Sequence, residues 1–355
     1  MHWSELPSDS LAVLRQGAVI PAHPLALDAN RQLDRKRQQA LTRYYLDAGS
    51  GGLAVGVHTT QFAIRQVGLY EPVLALAMET ARAWTPLGGT RPLFMIAGLA
   101  GNTAQAMREA SIARGLGYHA GLLSLAAMKG SSEDEIIEHC RAIAGAIPLV
   151  GFYLQPAVGG MVLSARFWQR FAEIDNVLAI KMAPFNRYRT LDVIRGVVAA
   201  GAEDRVTLYT GNDDHIVLDL VTPFAVPRHG HDVVLRIKGG LLGHWSVWTR
   251  RAVELLAQTQ SASTLPAIPA ELLALDSKVT DCNSAFFDVA NDFHGCIAGC
   301  HEVLRRQGLL EGIWCLDPDE GLSPGQAEEI DRVQSAYPDL NDDDFVREHL
   351  NRWFS

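Results

Sequence analysis

The chain has 355 residues, enough to bury a large core either as two domains or as one α/β barrel with additions. Hydrophobic residues make up 48% and charged residues 20%, the balance of a soluble, globular, enzyme-sized protein. A formal net charge of −9 and a pI near 5.7 argue against a general nucleic-acid binder, and no apolar run approaches the roughly 18 residues of a membrane span.

The opening MHWSELPSDS lacks a basic stretch followed by an apolar core, so no signal peptide is expected. Five cysteines without framework spacing suit a reducing, cytoplasmic setting. Residues 1–16 read as a leader helix. The first strand is expected over GAVIPAHPL (17–25), followed by a polar turn at Asp28 and Asn30. A helix then runs from about Asp34 to Asp47, stopped by Gly49, Gly51 and Gly52. GLAVGVHTT (52–60) is the second strand, and a helix from about Glu71 to Ala83 follows it.

From there a period appears. Apolar strand candidates begin near Leu93, Gly121, Leu149, Val177, Val206 and Val233, spaced by roughly 28 residues, about the size of a strand–helix–strand unit. Helix patterns such as SSEDEIIEHCRAIAGA fill the gaps, opening on serines and acids. Two early strands and six periodic ones make eight βα units. The expected fold is α/β, a (β/α)8 TIM barrel over 17–258, with an open doubly wound sheet as the rival. The first helix lacks a G-x-G-x-x-G opening, which weakens the dinucleotide-binding version of that rival. Residues 259–355 are expected to form a C-terminal helical extension, its acidic run Asn341–Asp344 read as a helix start.

Two of the strands, LVGFYLQP and VLAIKMAP, each carry one reactive polar residue, Tyr153 and Lys181. The chain has five lysines against twenty-six arginines, so lysine is not its routine surface cation. A lysine between Ile180 and Met182 could snorkel to a strand end or pair with a carboxylate. The alternative is a desolvated amine whose pKa falls, so that it can attack a carbonyl and form a Schiff base. Tyr153 and Lys181 are each the fifth residue of their strands. Equal counting puts them at one height, at the carboxyl ends where barrel active sites are built, and facing the same way.

The motifs YLQP (153–156), AIKMA (179–183) and TGNDD (210–214) resemble the dihydrodipicolinate synthase/N-acetylneuraminate lyase family of Schiff-base aldolases. The resemblance runs from about Gly17 to the C-terminal helices, and this chain looks like a divergent member. It implies that Lys181 forms an imine with pyruvate or a related 2-keto acid, with Tyr153 as proton shuttle. The family's G-T-T-G-E motif falls on VHTTQF (57–62), so Thr59 and Thr60 are the implied holders of the keto-acid carboxylate.

The departures from the family pattern are Gln61 and Phe62 for Gly–Glu, Val158 where the synthases carry an arginine, and SLAAMKG where they carry a relay tyrosine. The Schiff-base half is retained and the second-substrate half is rebuilt. The expectation is a lyase on pyruvate or another 2-keto acid, not a true dihydrodipicolinate synthase. The rivals are a 2-keto-3-deoxy sugar acid dehydratase of the same superfamily and an inactive keto-acid-binding barrel.

His58, His244, Gly211 and Asn212, at strand ends, join the expected substrate contacts. Lys238 is the internal rival of Lys181, set lower because Gly239 and Gly240 suggest a strand bend. HGCIAGCH (294–301) reads as helix packing rather than a metal site, and Arg228, His229 and His231 as a solvated basic loop before the eighth strand. No metal or cofactor, no nucleic acid and no membrane is expected. The family resemblance implies a homo-oligomer, a dimer or tetramer.

Overall fold

A computed structural model describes residues 1–355. Eight parallel strands make one sheet: β1 (Val19–Pro21), β2 (Gly52–Val55), β3 (Phe94–Leu99), β4 (Ala120–Leu123), β5 (Leu149–Leu154), β6 (Val177–Ala183), β7 (Thr207–Thr210) and, after a hairpin of β8 (Phe224–Arg228) and β9 (His231–Leu235), β10 (Ile237–Leu242). The order is β1-β10-β7-β6-β5-β4-β3-β2, and a parallel bridge between Ala22 and Ala54 joins the two ends. The sheet therefore closes as a (β/α)8 TIM barrel, a closure that removes sheet edges.

The barrel helices are α1 (Ser8–Gln16), ahead of β1, then α2 (Arg35–Ala48), α3 (Tyr70–Ala83), α4 (Thr103–Leu116), α5 (Glu133–Ala144), α6 (Ala165–Ala172), α7 (Arg187–Ala199), α8 (Ile216–Val221) and α9 (Thr249–Ala262). Their starts follow from side-chain caps. Asp34, Asn102, Ser132 and Ser164 each accept a bond from an N–H in the first turn. Helix α1 shuts the amino end of the barrel, where Leu11 and Leu14 pack with Ile20 and Tyr209, and the Tyr209 hydroxyl donates to Leu14 O at 2.8 Å.

The eighth barrel strand lies later than the sequence pattern suggests. Val233 to Leu235 belong to the antiparallel β8–β9 hairpin, so Arg228 and His231 are paired strand residues that flank its turn. Arg228 is tied to Glu203 rather than solvated. Lys238, on β10, is exposed on the side of Gln16 and Gln260, away from the carboxyl ends of the strands.

The C-terminal segment holds α10 (Ala270–Phe286), α11 (Cys296–Arg306), α12 (Gln326–Ala336) and α13 (Asp343–Trp353). The chain bends sharply between α10 and α11, where Asp288, Asp292 and Phe293 all have positive φ. As expected, the acidic run starts a helix: Asp343 and Asp344 lie in the first turn of α13, preceded by Asp342. Asp342 is buried, accepting from the Tyr44 hydroxyl at 2.7 Å and from Arg250 N at 3.0 Å. No helix is long and apolar enough to cross a membrane, and all five cysteines are free thiols.

Candidate active site

A cavity opens at the carboxyl ends of the strands, with about 610 Å³ of empty space when the solvent at its mouth is counted. Lys181 rises from β6 into it, 7% exposed, with its Nζ 4.4 Å from the Phe152 ring centroid. Gly211, at the end of β7, makes room for it. A Cβ there would stand 2.6 Å from Lys181 Cε and 2.9 Å from Ala183 Cβ. Backbone hydrogen bonding fixes this crossing, since Gly211 N donates to Met182 O at 2.6 Å.

Asp213 lines the same cavity, two residues past Gly211, and is 4% exposed. Its Oδ1 has no hydrogen-bond partner. Burial pushes its carboxyl well above the usual carboxylate range, opposed by the Lys181 charge and the His244 backbone N–H. Burial likewise lowers Lys181, opposed by the Asp213 charge. The two groups therefore titrate as one unit, and a proton held by one favours its release from the other. Sequence reasoning named Gly211 and Asn212 but missed Asp213. The available signal was the acidic pair in TGNDD, immediately past the end of β7, where barrel active sites are built.

Asn212, in between, points the other way. Its side chain accepts from Phe185 N at 3.2 Å and donates to Thr190 Oγ1 at 3.1 Å and Asp219 Oδ2 at 2.9 Å. Every bond it makes holds the β7 end against α7 and α8, and it does not line the cavity.

Tyr153 also departs from expectation. Phe152, not Tyr153, pairs with Lys181, and Tyr153 pairs with Met182. A register irregularity at the start of the pair, where Leu149 faces Val177 but Val150 faces Ala179, inserts one residue into β6. One extra residue reverses which side chains face inward. Tyr153 therefore packs in the helical shell, its ring centroid 5.0 Å from that of Trp168, and its hydroxyl lies 3.2 Å from Leu163 N and 3.3 Å from Leu163 O. Phe152 takes its place inside the barrel.

The β2 end forms a short turn, His58–Thr60. Thr59 lines the cavity and donates its hydroxyl to Ala22 O at 2.6 Å. Thr60 lies behind it, fully buried, donating to His23 O at 2.6 Å and accepting from Gly56 N at 2.9 Å. Thr60 thus braces the turn and does not face the cavity. His58 lines the cavity, and burial together with the Lys181 charge lowers its imidazole to about 4. His244 contributes its backbone to the site, while its ring packs edge-on against Phe286 of α10 and is lowered by burial to about 4.

The outer wall is apolar. Leu154 ends β5, Val158 and Phe185 come from the loops after β5 and β6, and Phe287, Phe293 and Ile297 come from the α10–α11 bend and the first turn of α11. Cys296 also reaches the cavity, whereas Cys300 and His301 are buried within the packing of α11. No group of three or more His, Cys, Asp or Glu side chains is placed to hold a metal ion.

Residues 16–222 match the model of the Dihydrodipicolinate synthetase family. A 4-hydroxy-tetrahydrodipicolinate synthase of Halorhodospira halophila is 24% identical over 212 residues, 57% of this chain and 66% of the relative. The chain thus spans just under two thirds of that synthase. N-acetylneuraminate lyase 2 of Escherichia coli is 22% identical over 317 residues, 88% of this chain and 90% of the relative. Among solved structures, a dihydrodipicolinate synthase from Acinetobacter baumannii complexed with pyruvate superposes with a TM-score of 0.71 at 19% identity, covering 90% of this chain and 98% of that one.

Proposed function

The chain belongs to the Dihydrodipicolinate synthetase family, and on that premise we propose that it is a Schiff-base-forming lyase on pyruvate or another 2-keto acid. The observation that carries this reading is a buried lysine in a cavity that also holds a buried carboxyl, Asp213, one of whose oxygens has no hydrogen-bond partner. Lys181 is the nucleophile. Its lowered pKa raises the share of free amine at neutral pH, and each unit of lowering removes about 1.4 kcal/mol of deprotonation cost.

The amine adds to the keto carbon and water leaves, giving an imine. The protonated imine draws electrons from the neighbouring carbon and so stabilises the enamine needed to break or form a carbon–carbon bond. We assign the proton transfers to Asp213 rather than Tyr153. Its raised pKa lets the carboxyl hold a proton near neutrality and release it to a leaving oxygen. His58, held neutral, is a second acceptor at the same wall. The turn at His58–Thr60, whose His58 and Thr59 line the cavity, is the proposed seat of the substrate carboxylate, although the Thr59 hydroxyl is already committed to Ala22 O.

Val158 lines the cavity at the position where the resemblance puts an arginine for a second carboxylate, which supports a reaction other than dihydrodipicolinate synthesis. Borohydride reduction in the presence of pyruvate and other 2-keto acids, followed by peptide mass mapping, tests the proposal. An adduct on Lys181 is expected. An adduct elsewhere, or none on folded protein across the panel, contradicts it.

A further inference from the structure

We infer that the carbonyl partner in carbon–carbon bond formation is an apolar aldehyde, aryl or branched alkyl, without a carboxylate and without a chain of hydroxyls. This rests on the Lys181 imine reading and deepens it. The charges of the cavity support the first exclusion. Lys181 is the only lysine or arginine in its lining, and imine formation consumes that amine. A second carboxylate would therefore be buried beside Asp213 with no cation of its own, an arrangement that costs several kcal/mol.

Hydrogen-bonding capacity supports the second exclusion. A polyhydroxylated arm needs several donors and acceptors. Beyond the turn proposed for the keto acid, the side chains available are Asp213, Gln155 and the weakly hydrogen-bonding thiol of Cys296, and Gln155 already accepts from Ala157 N at 3.3 Å. The remaining outer wall is Val158, Phe185, Phe287, Phe293 and Ile297. Phe185 and Phe293 meet edge to face, with ring centroids 5.7 Å apart at 62°. Both also hold positive φ, 48° and 67°, which a phenylalanine adopts only under strain. Strain of this kind collects at ligand-binding positions. Both rings border the cavity while also packing against the main core.

The step balances without a further reactant. The enamine carbon attacks the aldehyde carbon and forms the new bond. The carbonyl π pair moves to oxygen, and Asp213 supplies the proton that makes it a hydroxyl. Water then adds to the imine and frees Lys181, leaving a 4-hydroxy-2-keto acid bearing the apolar group. In reverse, the same groups cleave such an acid to pyruvate and the aldehyde.

The test incubates the full chain with pyruvate and one aldehyde at a time: benzaldehyde, isobutyraldehyde, succinic semialdehyde and glyceraldehyde. Benzaldehyde or isobutyraldehyde is expected to give the highest kcat/KM. Phe293→Ala is expected to lower kcat/KM for benzaldehyde by about tenfold or more relative to that for succinic semialdehyde. V158R is expected to depress benzaldehyde turnover and to raise that of succinic semialdehyde. Preference for the carboxylated or hydroxylated aldehyde overturns the inference. So does a lack of turnover with every aldehyde despite a Lys181 adduct, which leaves the imine reading standing. Absence of the adduct itself removes both.

Discussion

The two halves of the cavity are built differently. The inner half stands on strand ends: Lys181 on β6, Gly211 and Asp213 just past β7, and Thr59 just past β2. Hydrogen-bonded neighbours fix each of these positions, and the polar groups there have pKa values moved by burial. The outer half stands on loops and on the α10–α11 bend, is made of aromatic and aliphatic side chains, and includes positive-φ backbone at Phe185 and Phe293. The rigid half is suited to one fixed reaction, and the half built on loops to the choice of partner. A barrel can change the second without disturbing the first.

Substitutions that separate the halves test this division. The largest effect is expected from Lys181→Met, which removes the proposed nucleophile. Turnover falls to background and borohydride trapping disappears, while far-ultraviolet circular dichroism stays that of the folded barrel. Asp213→Asn comes next. It should lower kcat by about 10²–10⁴, the usual worth of a general acid–base group, yet leave the Lys181 adduct trappable. Its pH profile carries a sign. The Asp213 charge raises the Lys181 pKa, so its loss lowers that pKa further and shifts the acid limb of adduct formation to lower pH. A shift to higher pH would contradict the pairing.

Smaller effects lie outside the reacting centre. Asn212→Ala should leave the KM for the keto acid unchanged within about threefold, since its bonds run to Phe185, Thr190 and Asp219. The loss should appear as stability, on the order of 1–3 kcal/mol in urea unfolding. Tyr153→Phe should be the mildest: about 1 kcal/mol of stability from the hydroxyl bonded at Leu163, and kcat within about threefold of the parent. A hundredfold loss of kcat in Tyr153→Phe would place the tyrosine in the reaction and break the division drawn above.

The sequence announced the inner half better than the outer. The roughly 28-residue spacing and the isolated lysine among apolar neighbours pointed to the barrel and to Lys181 because parallel strands are buried and periodic. Counting residues failed for Tyr153 because the extra residue in β6 opposite Leu149–Val150 changed the parity, and no residue in VLAIKMAP marks it. The eighth strand was misplaced because Val233 to Leu235 are as strand-like as Ile237 to Leu242, and only pairing separates a hairpin from a barrel strand. Phe287, Phe293 and Ile297 reach the cavity from about a hundred residues beyond Lys181. Nothing local in SAFFDVANDFHGCIAG distinguishes a helix that merely packs from a bend that walls a site.

The account depends most directly on the amine of Lys181. Borohydride reduction of the full chain with pyruvate, with the modified peptide mapped by mass spectrometry, measures it in one step. A reduced pyruvate adduct on the peptide containing Lys181, absent from Lys181→Met, is the predicted result. An adduct on Lys238, or unmodified Lys181 in folded protein across the 2-keto acids tried, would contradict the account.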